Sequence, residues 1–130
     1  METINFKYFK HYSEVPESFW KWPNFTPKEI ASKGDGSIII HFRSLDCLQF
    51  ARTLAKKPFH INSGYRDPLY NARVGGGLES MHMKGQAFDI SLAGFDKTEL
   101  HQILLKAGFT GFGLHYKTFI HADTGRPRTW

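Results

Sequence analysis

The segment from Ser80 to Asp89 constrains the fold of this chain most. It leads into the alternating run Phe88-Asp89-Ile90-Ser91-Leu92, which is typical of a half-buried strand with Asp89 on the face opposite the apolar side chains. Gly85 lies between His82 and this strand, and a glycine permits the turn that lets the two side chains converge. The sequence therefore predicts a tight turn that places a histidine beside a carboxylate.

A second histidine, His121, follows in a run that alternates as a strand. A histidine, a carboxylate seven residues later and a distant histidine are the ligand types of a catalytic zinc site whose fourth position stays open. Alternation places Asp123 on the same face as His121, with β-carbons about 7 Å apart. We expect Asp123 to contact a water on a metal bound by His121, and it is less well placed to be a ligand itself.

Hydrophobic periodicity predicts a small α+β domain with two main helices and a mostly antiparallel sheet. One main helix begins near Ser44 and the other opens at Asp96 and closes at Gly108. A capping box at Thr26 predicts a short helix that ends near Gly34. Strands are predicted in the segments 37–40, 59–63, 88–92, 109–114 and 118–122.

The remaining segments are predicted to be irregular. Residues 1–25 are rich in aromatic side chains without a clear period, and we interpret them as an arm that packs on the core. Residues 67–87 are rich in Gly, Asn and Pro, and their length favours a functional loop. A length of 130 residues predicts a single domain over residues 1–130.

Composition limits the partners. With 17 Lys and Arg against 12 Asp and Glu, the net charge of +5 suits an anionic partner such as nucleic acid or an acidic wall polymer. Cys47 is the single cysteine, so an internal disulfide is excluded. No secretory signal and no membrane-spanning run is evident, which predicts a chain that is cytoplasmic as synthesised.

Four motifs occur in order: Ser63-Gly64-Tyr65-Arg66, Asn71 with Val74-Gly75-Gly76, Ser80-x-His82-x-x-Gly85-x-Ala87-x-Asp89, and Gly111-x-Gly113 with His121-x-Asp123-x-Gly125-x-x-Arg128-x-Trp130. In these motifs the chain resembles the zinc peptidases of bacterial cell walls that include D-Ala-D-Ala carboxypeptidases, vancomycin-resistance dipeptidases and murein endopeptidases. The resemblance covers residues 59–130 well and residues 26–58 loosely. It implies the fold shared by these peptidases and hedgehog signalling domains, and it is strongest for the branch of murein endopeptidases and phage endolysins.

The resemblance implies roles for named residues. His82, Asp89 and His121 would bind Zn²⁺, Arg66 would face the substrate carbonyl or carboxylate, and Ser80 would help hold the substrate. Tyr65 is a further candidate for substrate contact.

The general base is where the chain departs from the family. The positions that carry a Glu or a His in many relatives are Thr118 and Phe119 here. Asp123 is the first candidate for the base, and the loop residue His115 is the alternative.

The leading hypothesis is a monomeric zinc peptidase that hydrolyses a peptide bond in peptidoglycan, as a D-Ala-D-Ala carboxypeptidase or a murein endopeptidase. The alternative is a non-catalytic, zinc-stabilised module that binds cell wall or protein. A nucleic-acid-binding domain ranks last because RNP and zinc-finger patterns are missing. Resemblance suggests a phage lysis enzyme released through a holin-type pore, and a bacterial enzyme that trims recycled wall peptides fits equally well.

Overall fold

The computed structural model describes residues 4–130. Its larger sheet has five strands, all from the C-terminal part of the chain. Its order is β3-β4-β6-β5-β7, where the strands are β3 (Ile61–Ser63), β4 (Ala87–Ser91), β5 (Gly111–Gly113), β6 (Phe119–Asp123) and β7 (Arg128–Thr129). Neighbouring strands are antiparallel except for β5 and β7, which are parallel. The strands predicted at 109–114 and 118–122 are confirmed as β5 and β6, which are antiparallel neighbours, whereas β7 was not predicted.

Four α-helices accompany the sheet in the described part of the chain: α1 (Pro27–Ile30), α2 (Phe42–Ala55), α3 (Pro68–Arg73) and α4 (Lys97–Ala107). The two long helices, α2 and α4, pack against each other, and Leu48 and Leu104 are fully buried between them and the sheet. Phe88 and Ile120 supply the apolar face of β4 and β6 in the same core. The structure is therefore the small, mostly antiparallel α+β domain with two main helices that the sequence predicts.

The N-terminal arm is more regular than predicted. Phe6–Phe9 forms strand β1, which pairs antiparallel with β2 (Ile38–His41) in a separate two-stranded sheet. The prediction of an irregular arm is wrong for this segment, because a short edge strand with exposed Phe6 lacks the regular alternation of burial. Trp22 of the arm is buried in the core, and residues 1–3 of the arm lie outside the described residues.

The helix starts follow their capping residues. Thr26 forms the predicted capping box with Glu29, but α1 ends at Ile30 and not near Gly34. The chain leaves the helix early because the Ser32 N–H donates to Ser37 O at 2.8 Å and closes a turn. Helix α2 begins at Phe42, two residues before the predicted start, because His41 Nδ1 accepts a hydrogen bond from the Ser44 N–H and caps it.

The predicted loop at 67–87 is partly helical. Asp67 caps α3 by accepting a hydrogen bond from the Tyr70 N–H at 3.0 Å, and a 3-10 helix spans Met81–Lys84. The prediction of α4 is confirmed, with Asp96 as the N-cap and Gly108 as the C-cap. Within the described residues, no helix has the length and apolar character needed to cross a membrane.

Candidate metal centre

His82, Asp89 and His121 converge at one buried point. Asp89 on β4 lies directly opposite His121 on β6 in the antiparallel register, and His82 comes from the 3-10 helix at Met81–Lys84. Each of the three residues offers one ligand atom, and these atoms lie within 4.8 Å of one another. The structure thus brings together the three ligand candidates that the sequence predicts.

Gly85 fixes the position of His82. It ends the 3-10 helix with φ at 71°, a left-handed conformation that favours glycine. A β-carbon at this position would lie 2.8 Å from Ile39 O and would clash with backbone. Ser80 caps the other end of the helix by accepting a hydrogen bond from the His82 N–H at 3.2 Å. Both ends of the turn that presents His82 are therefore defined.

Hydrogen bonds orient both imidazole rings toward Asp89. His82 Nδ1 donates to Gly64 O at 2.7 Å, and its Nε2 lies 3.2 Å from Asp89 Oδ1. His121 Nε2 lies 2.7 Å from Asp123 Oδ2, and its Nδ1 lies 3.2 Å from the same Asp89 oxygen. With the outer nitrogen of each ring engaged, the inner nitrogens and a carboxylate oxygen form a donor set that fits a metal ion such as Zn²⁺.

The charge state of this cluster follows from its contacts. Burial opposes ionisation of Asp89, but hydrogen bonds from His121 and His82 hold the pKa of its carboxyl well below the usual value. Burial also opposes protonation of His121, yet hydrogen bonds to Asp123 and Asp89 raise the pKa of this imidazole. Asp89 is therefore an ionised carboxylate across the physiological range, as a metal ligand must be.

Asp123 is fully buried behind His121. Its Oδ2 also accepts a hydrogen bond from Arg128 Nη2 at 2.7 Å, and its Oδ1 accepts from Arg128 Nη1 at 2.9 Å and from the Gly125 N–H at 3.0 Å. Burial works to raise its pKa, but the bonds to His121 and Arg128 hold the pKa of this carboxyl well below the usual range. Asp123 is thus a charged group that contacts the outer edge of the His121 ring.

Arg66 is held beside the cluster by three side chains. Its Nη2 lies 3.2 Å from Asp89 Oδ2, its Nε donates to Ser63 Oγ at 3.1 Å, and its Nη1 donates to Asn71 Oδ1 at 3.4 Å. The Arg66 side chain is 16% exposed. The guanidinium is therefore fixed in orientation while one face remains open to a ligand.

A cavity of about 490 Å³ opens over the cluster. It is lined by Arg66, Val74, Gly75, Gly76, Gly77, Glu79, Ser80, Met81, His82, Asp89, Tyr116, Phe119, His121, Arg128 and Trp130. An open space of this size above three potential ligands can admit a short segment of peptide.

The other predicted site residues fall at different places. Ser80 lines the cavity, as the prediction of substrate contact requires. Tyr65 is buried and is not among the lining residues, and burial raises the pKa of its phenol. His115 is exposed and packs against Tyr116, and neither His115 nor Asp123 is among the lining residues. Substrate contact by Tyr65 stays a prediction.

Two residues were missed by sequence reasoning. Glu79 lines the cavity, and the available signal was a single acidic residue within a glycine-rich segment. Asn71 is buried and links Arg66 to this segment, whereas the sequence analysis identified it only as part of a motif. A buried amide whose polar groups are all used could only be recognised from its contacts.

The fold and the site together define a small α+β domain with a candidate metal centre at the base of an open cavity. A model of the Peptidase M15 family matches residues 23–123. The chain belongs to this family, which confirms the resemblance to cell-wall zinc peptidases, whereas the murein endopeptidase branch stays a prediction. A search among curated proteins gives no match.

Proposed function

We propose that the protein is a zinc-dependent peptidase that hydrolyses a peptide bond in bacterial peptidoglycan, as a carboxypeptidase or an endopeptidase. The observation that carries the proposal is the convergence of His82, Asp89 and His121, with both outer ring nitrogens already hydrogen-bonded, beneath an open cavity. Membership of the Peptidase M15 family supports a peptidase that acts on wall peptides.

In this proposal the metal, Arg66 and Ser80 each have a defined task. Bound zinc would polarise the scissile carbonyl and lower the pKa of the attacking water. Arg66 would bind the carbonyl or a carboxylate of the peptide and stabilise the negative charge that grows on the carbonyl oxygen. Because Ser63, Asn71 and Asp89 already hold the guanidinium, little reorientation is needed when the substrate binds. Ser80 would contact the peptide at the cavity wall.

The general base stays a prediction, with Asp123 and His115 as the candidates from the sequence. Asp123 contacts the ring edge of His121 that faces away from Asp89, and its four hydrogen bonds leave it no exposed surface. We therefore propose that Asp123 is a positioning residue, which holds the His121 ring so that Nδ1 faces the metal. A carboxylate in this position also makes the imidazole a stronger ligand.

The test is digestion of purified peptidoglycan by the protein as isolated, after chelation and after zinc is restored, with products identified by mass spectrometry. We expect peptide fragments that disappear with the chelator and return with zinc, and their masses identify the bond. His82→Ala should abolish both zinc binding and hydrolysis. His60→Ala is the matched control, because His60 is exposed and lies outside the cavity lining.

Two results separate this proposal from the alternative module. If zinc-loaded, folded protein leaves walls of several cross-link types intact but still binds them, the non-catalytic module is the correct function. If His82→Ala cuts as fast as the unaltered protein, the proposed metal centre is wrong. Neither of the two bases predicted from the sequence, Asp123 and His115, lines the cavity, and the first result would agree with that placement.

A further inference from the structure

The walls of the cavity differ in charge. Arg66 and Arg128 lie on the side of the metal cluster. Residues 74–80, which we call the glycine rim, form another part of the lining, and Glu79 is the only ionisable side chain of the rim. A ligand that fills this space therefore meets both guanidinium groups and the carboxylate of Glu79.

The carboxylate of Glu79 has no partner among the described residues, whereas both arginines of the cavity are paired. Arg128 is paired with Asp123 through two hydrogen bonds, and Arg66 is paired with Asp89. Glu79 is exposed and has no hydrogen bond or ion pair with any of the residues at 4–130. Its carboxylate can therefore meet a cation from outside the chain without breaking an internal contact.

The buried residue Asn71 connects the glycine rim to Arg66 through hydrogen bonds. Asn71 is 3% exposed, its Nδ2 donates to Gly77 O at 2.9 Å, and its backbone O accepts from the Gly76 N–H at 2.8 Å. Asn71 Oδ1 accepts from Arg66 Nη1 on its other side. Because one side chain bonds both elements, the spacing between the guanidinium and the rim that carries Glu79 is fixed by the fold.

We propose that Glu79 is a specificity-determining residue that binds a primary ammonium group of the peptide substrate. The proposal rests on the proposed function, since it assigns two charged residues of the cavity to the two charges of one peptide. Arg66 takes the carbonyl or carboxylate, and Glu79 takes the ammonium. A wall peptide can offer an ammonium at its N-terminus or on the side chain of a diamino acid such as lysine.

The test compares three synthetic wall peptides that differ only in their amines: a lysine-containing peptide, its norleucine analogue, and the lysine peptide acetylated at its N-terminus. Binding to the zinc-free, full-length protein is measured by calorimetry, which avoids cleavage, and KM and kcat are measured with zinc-loaded protein. The analogue that loses affinity identifies the amine that is bound.

At low ionic strength we expect removal of that amine to raise the Kd about fivefold, as for a solvent-accessible ion pair. The preference should shrink at high salt. Glu79→Gln should bind the amine-bearing peptide and its analogue equally well, so that the preference disappears from both Kd and KM. Glu17→Gln, a neutralised exposed glutamate outside this cavity, should keep the full preference.

The proposal is overturned if the unaltered protein binds all three peptides equally, or if Glu79→Gln retains the preference. It is also overturned if Glu79→Gln lowers kcat for every peptide without a change in Kd, because that pattern indicates a role in proton transfer. Failure of the proposed function gives a different pattern, in which zinc-loaded protein cuts no peptide although calorimetry still detects the amine preference.

Discussion

Replacing Asp123 with Asn tests the role of this residue most directly. Asn keeps the size of the side chain but exchanges one acceptor oxygen for an NH₂ donor. If the amide oxygen stays on His121, the NH₂ group faces the N–H groups of Gly125 and Arg128 that now bond to Oδ1. If it turns around, the NH₂ group faces His121. Either orientation places donors against donors in a fully buried position.

The expected magnitudes follow from these contacts. Loss of an outer contact to a metal-binding histidine weakens metal affinity by about 10- to 100-fold. Breaking a buried ion pair costs about 3–5 kcal/mol. The Arg128 side chain is 26% exposed, so solvent offsets part of that cost. We expect a loss of about 2–3 kcal/mol in the unfolding free energy of the zinc-free protein.

Zinc affinity is measured by competition with a chromophoric chelator, and stability by urea unfolding of the zinc-free protein. Asp46→Asn is the matched control, because Asp46 is exposed and accepts a hydrogen bond from Trp22 Nε1 that an Asn oxygen can also accept. A variant Asp123→Asn that binds zinc normally and only loses kcat would refute the positioning role and favour Asp123 as the general base.

Four further predictions concern the same site. Arg66→Lys should lower kcat/KM about 100-fold, because an ammonium cannot reproduce three fixed contacts; a loss below about fivefold would contradict the assigned role. Gly76→Ala should destabilise the protein by about 1–3 kcal/mol in thermal unfolding, because its β-carbon would lie 2.0 Å from Asn71 Oδ1. Gly77→Ala, which meets no atom within 4 Å, should be nearly neutral, and equal effects would count against the rim geometry. In zinc-free protein, the low pKa of Asp89 contributes stability that is present above the unfolded pKa of about 3.9 and is lost as pH falls below that value. The unfolding free energy from urea titrations should therefore decline from pH 5 to pH 2. A flat profile would be inconsistent with the pKa shift of Asp89. Chelation should abolish hydrolysis and lower the melting temperature, and zinc should restore both; an unchanged melting temperature would argue against a bound ion.

Local signals in the sequence determined the elements that the prediction identified correctly. The capping residues Thr26 and Asp96 mark the starts of α1 and α4, and Gly108 marks the end of α4, because each satisfies backbone groups that a helix end leaves unpaired. The alternation through Asp89 identified β4 and the face that carries the ligand. These features depend on neighbours within a few residues, so the sequence contains them.

Features that depend on distant partners were missed or misplaced. Strand β7 has two residues and exists only because Arg128 and Thr129 pair with β5. The early end of α1 depends on the buried Ser32, whose hydroxyl contacts Asp67, a residue 35 positions later in the chain. The role of Asn71 likewise depends on Arg66 and the glycine rim. The hydrophobic periodicity of the sequence does not predict contacts between residues that are far apart in the chain.

The prediction for Asp123 shows the same limit at atomic detail. Alternation correctly placed Asp123 on the face of His121, and the two side chains are in contact at 2.7 Å. A strand period of two residues cannot tell which ring nitrogen the carboxylate will touch. The structure places it on Nε2, while Nδ1 lies 3.2 Å from Asp89. The face was thus predictable, whereas the chemical consequence of sharing that face depended on the side-chain torsions of His121.

Strand pairing positions two residues of the candidate metal centre. Asp89 and His121 face each other because β4 and β6 pair in register, which holds their β-carbons about 5 Å apart. The buried apolar core under this sheet includes Leu48 and Phe88, and neither belongs to the metal cluster. A chain whose core forms without the ion loses less ordering entropy when the ion binds than a small domain that folds only around zinc. Removal of the metal should therefore leave a folded protein whose ligands still point at one oxygen of Asp89.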